Sequence, residues 1–347
     1  MLGLDLPLIF AGLLAVSIAI YVVLDGFDLG VGVLAPFATP EERDRMLSSI
    51  GPFWDGNETW LVLATGLLLV AFPVAHGAIL GDLYIPVTVM LVALIARGVA
   101  FEFRVKVPQV RKPVWDRVFA IGSLVTALSQ GFMLGLYILG LVVTPATVAF
   151  AALAAMGLAA SYAFLGAAWL IGKTEGDLQR KAVAWARATL WAVGLGMVAV
   201  SVATPFVSER LFDRWLSWPA VGLLAPLPIA AAAVWVATRW WLARLPQADD
   251  SGRWWPFAGG VALFVLGFAG MAYSFFPYIV PEALTIADAA AAPESLAIIL
   301  VGAIVVLPLI IGYTIVSYWL FRGKAQAASY GPSAVVDAVV QVTGPAT

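Results

Sequence analysis

Residues 7–33 read PLIFAGLLAVSIAIYVVLDGFDLGVGV. The first two-thirds is an unbroken apolar run, and the last third stays apolar while admitting Asp25 and Asp28. Roughly 20 apolar residues in a helix cross a hydrocarbon core of about 30 Å. Backbone polar groups at that depth must be satisfied within the segment. The stretch therefore predicts a membrane-spanning helix with two acids at its far end. No positive flank precedes it and the aspartate motif follows at once, so it reads as a span rather than a cleaved leader.

Working outward, comparable runs recur at 57–73, 79–100, 117–141, 147–171, 185–206, 219–239, 255–277 and 296–320. With the first, they predict an all-α integral membrane protein of about nine transmembrane helices. The runs are too long and too uniformly apolar for barrel strands, which alternate over about 10 residues. Composition agrees: 62% of the 347 residues are hydrophobic and 12% charged, too few charges to cover a soluble domain of this length. A formal net charge of −2 gives no reason to expect a nucleic-acid partner. Cysteine is absent, which removes thiol nucleophiles and thiolate metal sites. His76 is the single histidine, so no site in this chain has two imidazoles.

The 19 basic residues set the orientation. Arg210 and Arg214 fall on one side of the nine-span pattern, and all the others fall on the opposite side. The positive-inside rule then places the N-terminus outside and the C-terminus in the cytoplasm. The loops are short, and residues 322–347 read as a polar cytoplasmic tail without periodicity. Trp240, Trp241, Trp254 and Trp255 flank one basic loop, as an interfacial aromatic belt would.

Charges near or within spans need an account. Asp25 and Asp28 are three apart and share a helix face, while Gly26, Gly30 and Gly32 let a neighbouring helix approach closely. The two acids either sit at headgroup level, solvated or paired with cytoplasmic arginines, or line a polar inlet. In Gly51-Pro52-Phe53-Trp54-Asp55-Gly56-Asn57-Glu58-Thr59-Trp60, Asp55 and Glu58 fit a helix-starting capping box, a role compatible with a proton-accessible carboxylate. Arg97 closes one span and Asp116 opens the next, so Arg97 with Glu102 or Asp116 is the expected partly buried ion pair, specifying packing more than adding stability. His76 reads as an interfacial residue; as a haem ligand it would need a methionine, another residue type or a partner chain opposite. The prolines of Phe276-Pro277-Tyr278-Ile279-Val280-Pro281-Glu282 stop a helix on the outer side.

At DGFDLGVG (25–32), GPFWDGNETWL (51–61), RGVAFEFR (97–104), VWDRVFAIGS (114–123) and FPYIVPEALTIADAA (276–290), the chain resembles subunit II of the cytochrome bd-type ubiquinol oxidases, including the cyanide-insensitive branch. Five short motifs in family order cover nearly the whole length. The resemblance implies two four-helix bundles, at 1–145 and 146–295, a peripheral helix at 296–321 and the tail at 322–347. It implies pairing with a haem-bearing subunit I, which holds two b haems and one d, or b in its place. Quinol oxidation and reduction of oxygen to water then occur in that partner, and this chain carries no haem or metal. Small single-span accessory subunits, lipid contacts and, in some members, a structural quinone belong to the same picture, as does a bacterial inner-membrane location. Asp25, Asp28 and Asp55 match family acids linked to cytoplasmic proton uptake or to complex integrity, with Trp54, Asn57 and Trp60 shaping the inlet. Arg97 and Asp116 match positions linked to assembly or haem retention. Glu58 stands where relatives can carry an amide and is set aside as a proton carrier.

Two other classes are open to test from the residues. A secondary transporter uses broken helices and midplane charge, whereas the acids here cluster at the basic ends of the spans; a small-solute channel stays open. A self-sufficient haem enzyme is disfavoured by the single histidine. The alternation of loops is directly testable. Reporter fusions after Lys112, Arg180, Arg244 and Lys324 should report cytoplasm, and those near Gly77, Thr144, Glu209 and Asp288 the outside; one loop on the wrong side removes the nine-span topology.

Overall fold

The computed structural model describes residues 5–218, 220–247 and 249–325, so most of the expected tail, 326–347, lies outside the described residues. In chain order the elements are α1 (Leu6–Leu34), α2 (Pro40–Ile50), α3 (Trp54–Ala71), α4 (Pro73–Asp82), α5 (Tyr84–Lys106), α6 (Lys112–Ile138), α7 (Pro145–Lys173), α8 (Gly176–Val207), α9 (Glu209–Leu216), α10 (Ala220–Leu224) and α11 (Pro226–Leu242). They are followed by α12 (Trp255–Phe275), the hairpin β1 (Tyr278–Val280) and β2 (Leu284–Thr285), α13 (Ile286–Ala289) and α14 (Pro293–Leu320). Among the described residues, eight helices or helix runs are long and apolar enough to cross a membrane, and the bent pair α3–α4 makes a ninth.

That bend has a local cause. Pro73 lacks the N–H to continue the helix and pushes the residue before it out of the helical region; Phe72 sits at φ −135°, ψ 60°, and α4 turns away by 120°. The second span therefore ends at Ala71, and the third begins at Tyr84 rather than near 79. His76 rides, half-buried, on the short α4. Other ends follow familiar chemistry. Asp5 caps α1 by accepting from Leu8 N at 3.1 Å, and Thr39 with Glu42 forms a capping box on α2.

The core centres on α7, in which every residue from Tyr162 to Lys173 is buried. Gly30 of α1 and Gly166 of α7 meet at the crossing of the two helices, where a Cβ on Gly30 would overlap the Tyr162 carbonyl and one on Gly166 would overlap the Gly30 backbone. Both glycines are needed for this approach. α5 packs along α6, and α6 along α7. α14 is the most peripheral span, with Leu296 its one buried residue.

On the face away from the basic loops, the proline-rich segment forms the hairpin. Arg210 Nε donates to Glu282 Oε1 at 2.6 Å, and Arg214 Nη2 donates to the carbonyls of Tyr273 and Phe276 at 2.9 and 2.7 Å. The only two basic residues on that side thus tie the α8–α9 segment to the hairpin region.

The helix crossing can be tested. Overpacking a close-packed contact typically costs about 1–3 kcal/mol. Gly166→Val should lower the yield of assembled complex sharply, while Gly12→Val, where nothing lies near the new side chain, should leave it unchanged.

Candidate functional site

The site forms where the DGFDLGVG segment of α1 faces α3 and α5. Asp25 lies nine residues before the end of α1 and Arg97 nine before the end of α5, so at 1.5 Å per residue each stands about 13 Å inside its helix end. Arg97 Nη1 is 2.8 Å from Asp25 Oδ1, with side chains 1% and 0% exposed. The contact is a charge pair lying off the axis of an aligned hydrogen bond. Asp28, one turn further along α1, is equally buried. Its Oδ2 accepts from Asn57 Nδ2 of α3 at 2.8 Å, and the same nitrogen reaches the Leu24 carbonyl at 3.3 Å. The Tyr318 hydroxyl of α14 donates to Asn57 Oδ1 at 2.9 Å.

Polar structure continues deeper. Tyr162 donates to Gln130 Oε1 at 2.7 Å, and Gln130 Nε2 donates to the hydroxyl of Tyr21 at 2.6 Å. Tyr21 precedes Asp25 by one helical turn. Both Asp25 oxygens, Asp28 Oδ1, the guanidinium nitrogens of Arg97 and the Trp60 indole N–H are buried without an aligned hydrogen bond among the described residues. Buried polar groups ordinarily have a hydrogen-bond partner, so this cluster has capacity for water, protons or an adjoining chain.

At the basic end the mouth is acidic and aromatic. Asp55 is exposed, Glu58 half-buried and Glu102 exposed. Trp54 packs against Phe101, with ring centroids 5.1 Å apart, and Trp60 is buried. These positions bring Asp25, Asp28, Asn57, Arg97 and Trp60 together inside, with Trp54 and Asp55 at the rim.

Three expectations from the sequence are corrected. Asp25 and Asp28 are not solvated: both are fully buried, because α1 continues past them to Leu34 and is covered there by α7 and α6, and Asp25 is paired with an arginine, Arg97. Asp55 and Glu58 do not form a capping box. The helix already begins at Trp54 with Phe53 as its cap and no side-chain cap bond, so Asp55 stands in the first turn, where the helix dipole favours a negative charge. Arg97 does not pair with Glu102 or Asp116. It is too deep in α5 to reach either. Glu102 faces outward to Lys106 at 3.5 Å, and Asp116, near the start of α6, binds Arg43 Nη1 at 2.8 Å and also Arg104.

Asp116 instead anchors a separate network. Arg104 Nη1 reaches Asp44 Oδ1 at 2.6 Å, and Lys112 lies 3.7 Å from the same atom. From the other side of α2, Glu42 Oε2 meets Lys181 of α8 at 2.8 Å. Burial alone would raise the Glu42 carboxyl, but hydrogen bonds from Lys181 and from the Thr39 backbone outweigh it and hold the group below its ordinary value. α2 therefore straps α5 and α6 to α8.

Sequence reasoning missed Tyr318, Gln130, Tyr21 and Tyr162, and read Arg43 and Arg104 only as loop charges. Gln130 left a signal, as a lone amide in an apolar span. Tyr318 left none, because a tyrosine at a span end reads as belt. Among the described residues, no three His, Cys, Asp or Glu side chains converge as a metal site.

An all-α bundle of membrane spans with two acids and an arginine buried near one end is the architecture of a multi-pass membrane protein. The model of the cytochrome bd terminal oxidase subunit II family matches residues 6–321, and the chain belongs to that family. Among its relatives are cytochrome bd ubiquinol oxidase subunit 2 of Bacillus subtilis (29% identical over 90% of this chain and 94% of that one) and cytochrome bd-I ubiquinol oxidase subunit 2 of Escherichia coli K12 (28%, over 88% and 91%). A chain of the bd oxidase from Geobacillus thermodenitrificans has the same fold, with a TM-score of 0.74 at 17% identity over 91% of this chain and 99% of that one. Family membership sets aside the small-solute channel.

Removing one member of a buried pair leaves an uncompensated charge, which costs roughly 3–5 kcal/mol, whereas replacing both with apolar residues is often neutral. Arg97→Leu and Asp25→Leu should each reduce assembly, and Arg97→Leu/Asp25→Leu should recover part of it. Equal loss in the double variant would show that the two charges act separately.

Proposed function

We propose that this chain is the non-haem subunit of a quinol-oxidising, oxygen-reducing complex in a bacterial cytoplasmic membrane, and that it supplies a cytoplasmic proton inlet to a haem-bearing partner. The observation that carries the inlet is the fully buried Asp25–Arg97–Asp28 cluster near the basic end, with hydrogen-bonding atoms left unmet. Oxygen reduction consumes protons, and hydrocarbon blocks them unless ionisable groups provide a path; intramembrane carboxylates commonly do so. The positive-inside distribution puts Asp55 at the cytoplasmic mouth and the N-terminus outside.

Within the cluster the chemistry divides. Asp25 is in direct contact with the Arg97 guanidinium, whereas the direct partner of Asp28 is a neutral amide and Arg97 acts on it from further off. Beyond Asp25 the Tyr21 hydroxyl leads to the Gln130 amide, which lacks the exchangeable relay of a hydroxyl or carboxyl, so in this reading the route turns toward the partner before Gln130. Haem belongs to the partner in this reading. The residues here do not suit a haem, since His76 is the single imidazole and sits on the short α4 rather than on a facing pair of spans.

In the complex purified with its partner, Asp28→Asn and Asp55→Asn should retain haem content and assembly while slowing quinol-driven oxygen consumption, Asp28→Asn the more. Asn keeps size and hydrogen bonding at both positions. Full turnover of Asp28→Asn across pH would sink the inlet, and loss of assembly in both variants would make the acids structural.

A further inference from the structure

α14 is nearly stripped of buried residues, yet its last turns lie against the start of α3. Ser317 Oγ donates to the Pro52 carbonyl at 3.3 Å, and Tyr318 stacks on Phe53 with ring centroids 4.4 Å apart. At Gly56 a Cβ would come within 2.9 Å of the Tyr313 ring, so the two helices are in close contact there. This docking delivers the Tyr318 hydroxyl to Asn57 Oδ1.

Asn57 is 1% exposed, and its amide has one oxygen and one nitrogen to distribute between two neighbours. With the oxygen engaged by Tyr318, the nitrogen faces Asp28 Oδ2 and the Leu24 carbonyl. Rotating the amide by half a turn would set its oxygen against both of those acceptors. The Leu24 carbonyl, which can only accept, keeps the nitrogen end toward Asp28, and the Tyr318 hydroxyl holds the opposite end of the amide in place. The other charges acting on Asp28 come from Arg97 on α5, Asp25 on α1 and Glu58 on α3. None of them is held by α14.

We propose that Tyr318, on the peripheral last span, is a positioning residue for Asp28, acting through the hydrogen bond that holds Asn57 against it. The inference rests on reading Asp28 as part of the proton inlet, and the measurements separate the two. The test uses the complex with its haem-bearing partner and the variant Tyr318→Phe, which keeps the ring stacked on Phe53 and drops the hydroxyl. Assembly and haem content should be unchanged. Turnover should fall by about two- to tenfold, the scale of one hydrogen bond, with a displaced pH profile. In an Asp28→Asn background the same substitution should have no further effect, and Asn57→Leu should reproduce the displacement without adding to Tyr318→Phe. The infrared carboxyl bands of Asp28, recognised as those lost in Asp28→Asn, should shift in Tyr318→Phe.

An unmoved Asp28 band, or a turnover loss that adds to that of Asp28→Asn, overturns the positioning role. Asp28→Asn at parental turnover overturns the inlet instead, and the infrared shift still decides whether Tyr318 positions Asp28.

Discussion

A guanidinium buried to 1% exposure inside a bundle of membrane helices has to meet a carboxylate there, and this structure is organised around the place where Arg97 meets Asp25. In a medium that solvates charge poorly, neither group is tolerable alone. The pair therefore fixes α1 and α5 at a common depth. The glycines that interleave with the acids on α1 allow α7 to close over the same turns, so one eight-residue motif sets both the charge and the helix contact that seals it. Asp28 inherits that burial without a cation in direct contact and depends on a neutral donor from α3, Asn57, which is held in turn by α14.

The charges outside the spans act differently. At the basic end, Arg43, Arg104, Asp116 and Asp44 join α2 to α5 and α6, and Glu42 with Lys181 joins α2 to α8. Asp250 accepts from Gln179 at 2.7 Å and Arg253 at 2.5 Å, and pairs with Lys324 at 2.6 Å, which ties the chain after α14 to the loop before α12. Burial would raise the Asp250 carboxyl, but the hydrogen bonds from Lys324, Gln179 and Arg253 outweigh it and hold the group low. Arg104 and Asp116 are buried, while single pairs at the partly exposed positions contribute little. Linked together across loops, they set where each helix end lies, and through that the shape of the acidic mouth around Asp55 and Glu58.

The span pattern, the basic-loop asymmetry and the anomaly of Asp25, Asp28 and Arg97 in apolar runs were legible in the residues because each is a local signal. Apolar length follows from hydrocarbon thickness, and a charge in such a run is anomalous wherever it occurs. The apolar run carries the second span through Pro73, and the 120° turn into α4 appears only in the structure.

Partners were another matter. Arg97 lies on the same helix as Glu102 and one short loop from Asp116, and proximity along the chain pointed to them, but depth within the bundle decides which charges meet. Asp55 looked like a helix cap until the helix was seen to begin one residue earlier, at Trp54. Tyr318, 261 residues from Asn57, carried no sequence mark of its role. By itself the sequence determined that this is an all-α membrane protein of about nine spans with acids and an arginine that need an explanation, because solvation of apolar and charged groups is a property of each residue. Only the tertiary structure decided which acid balances the arginine and which is left to an amide, because pairing depends on the relative depth and rotation of helices far apart in the chain.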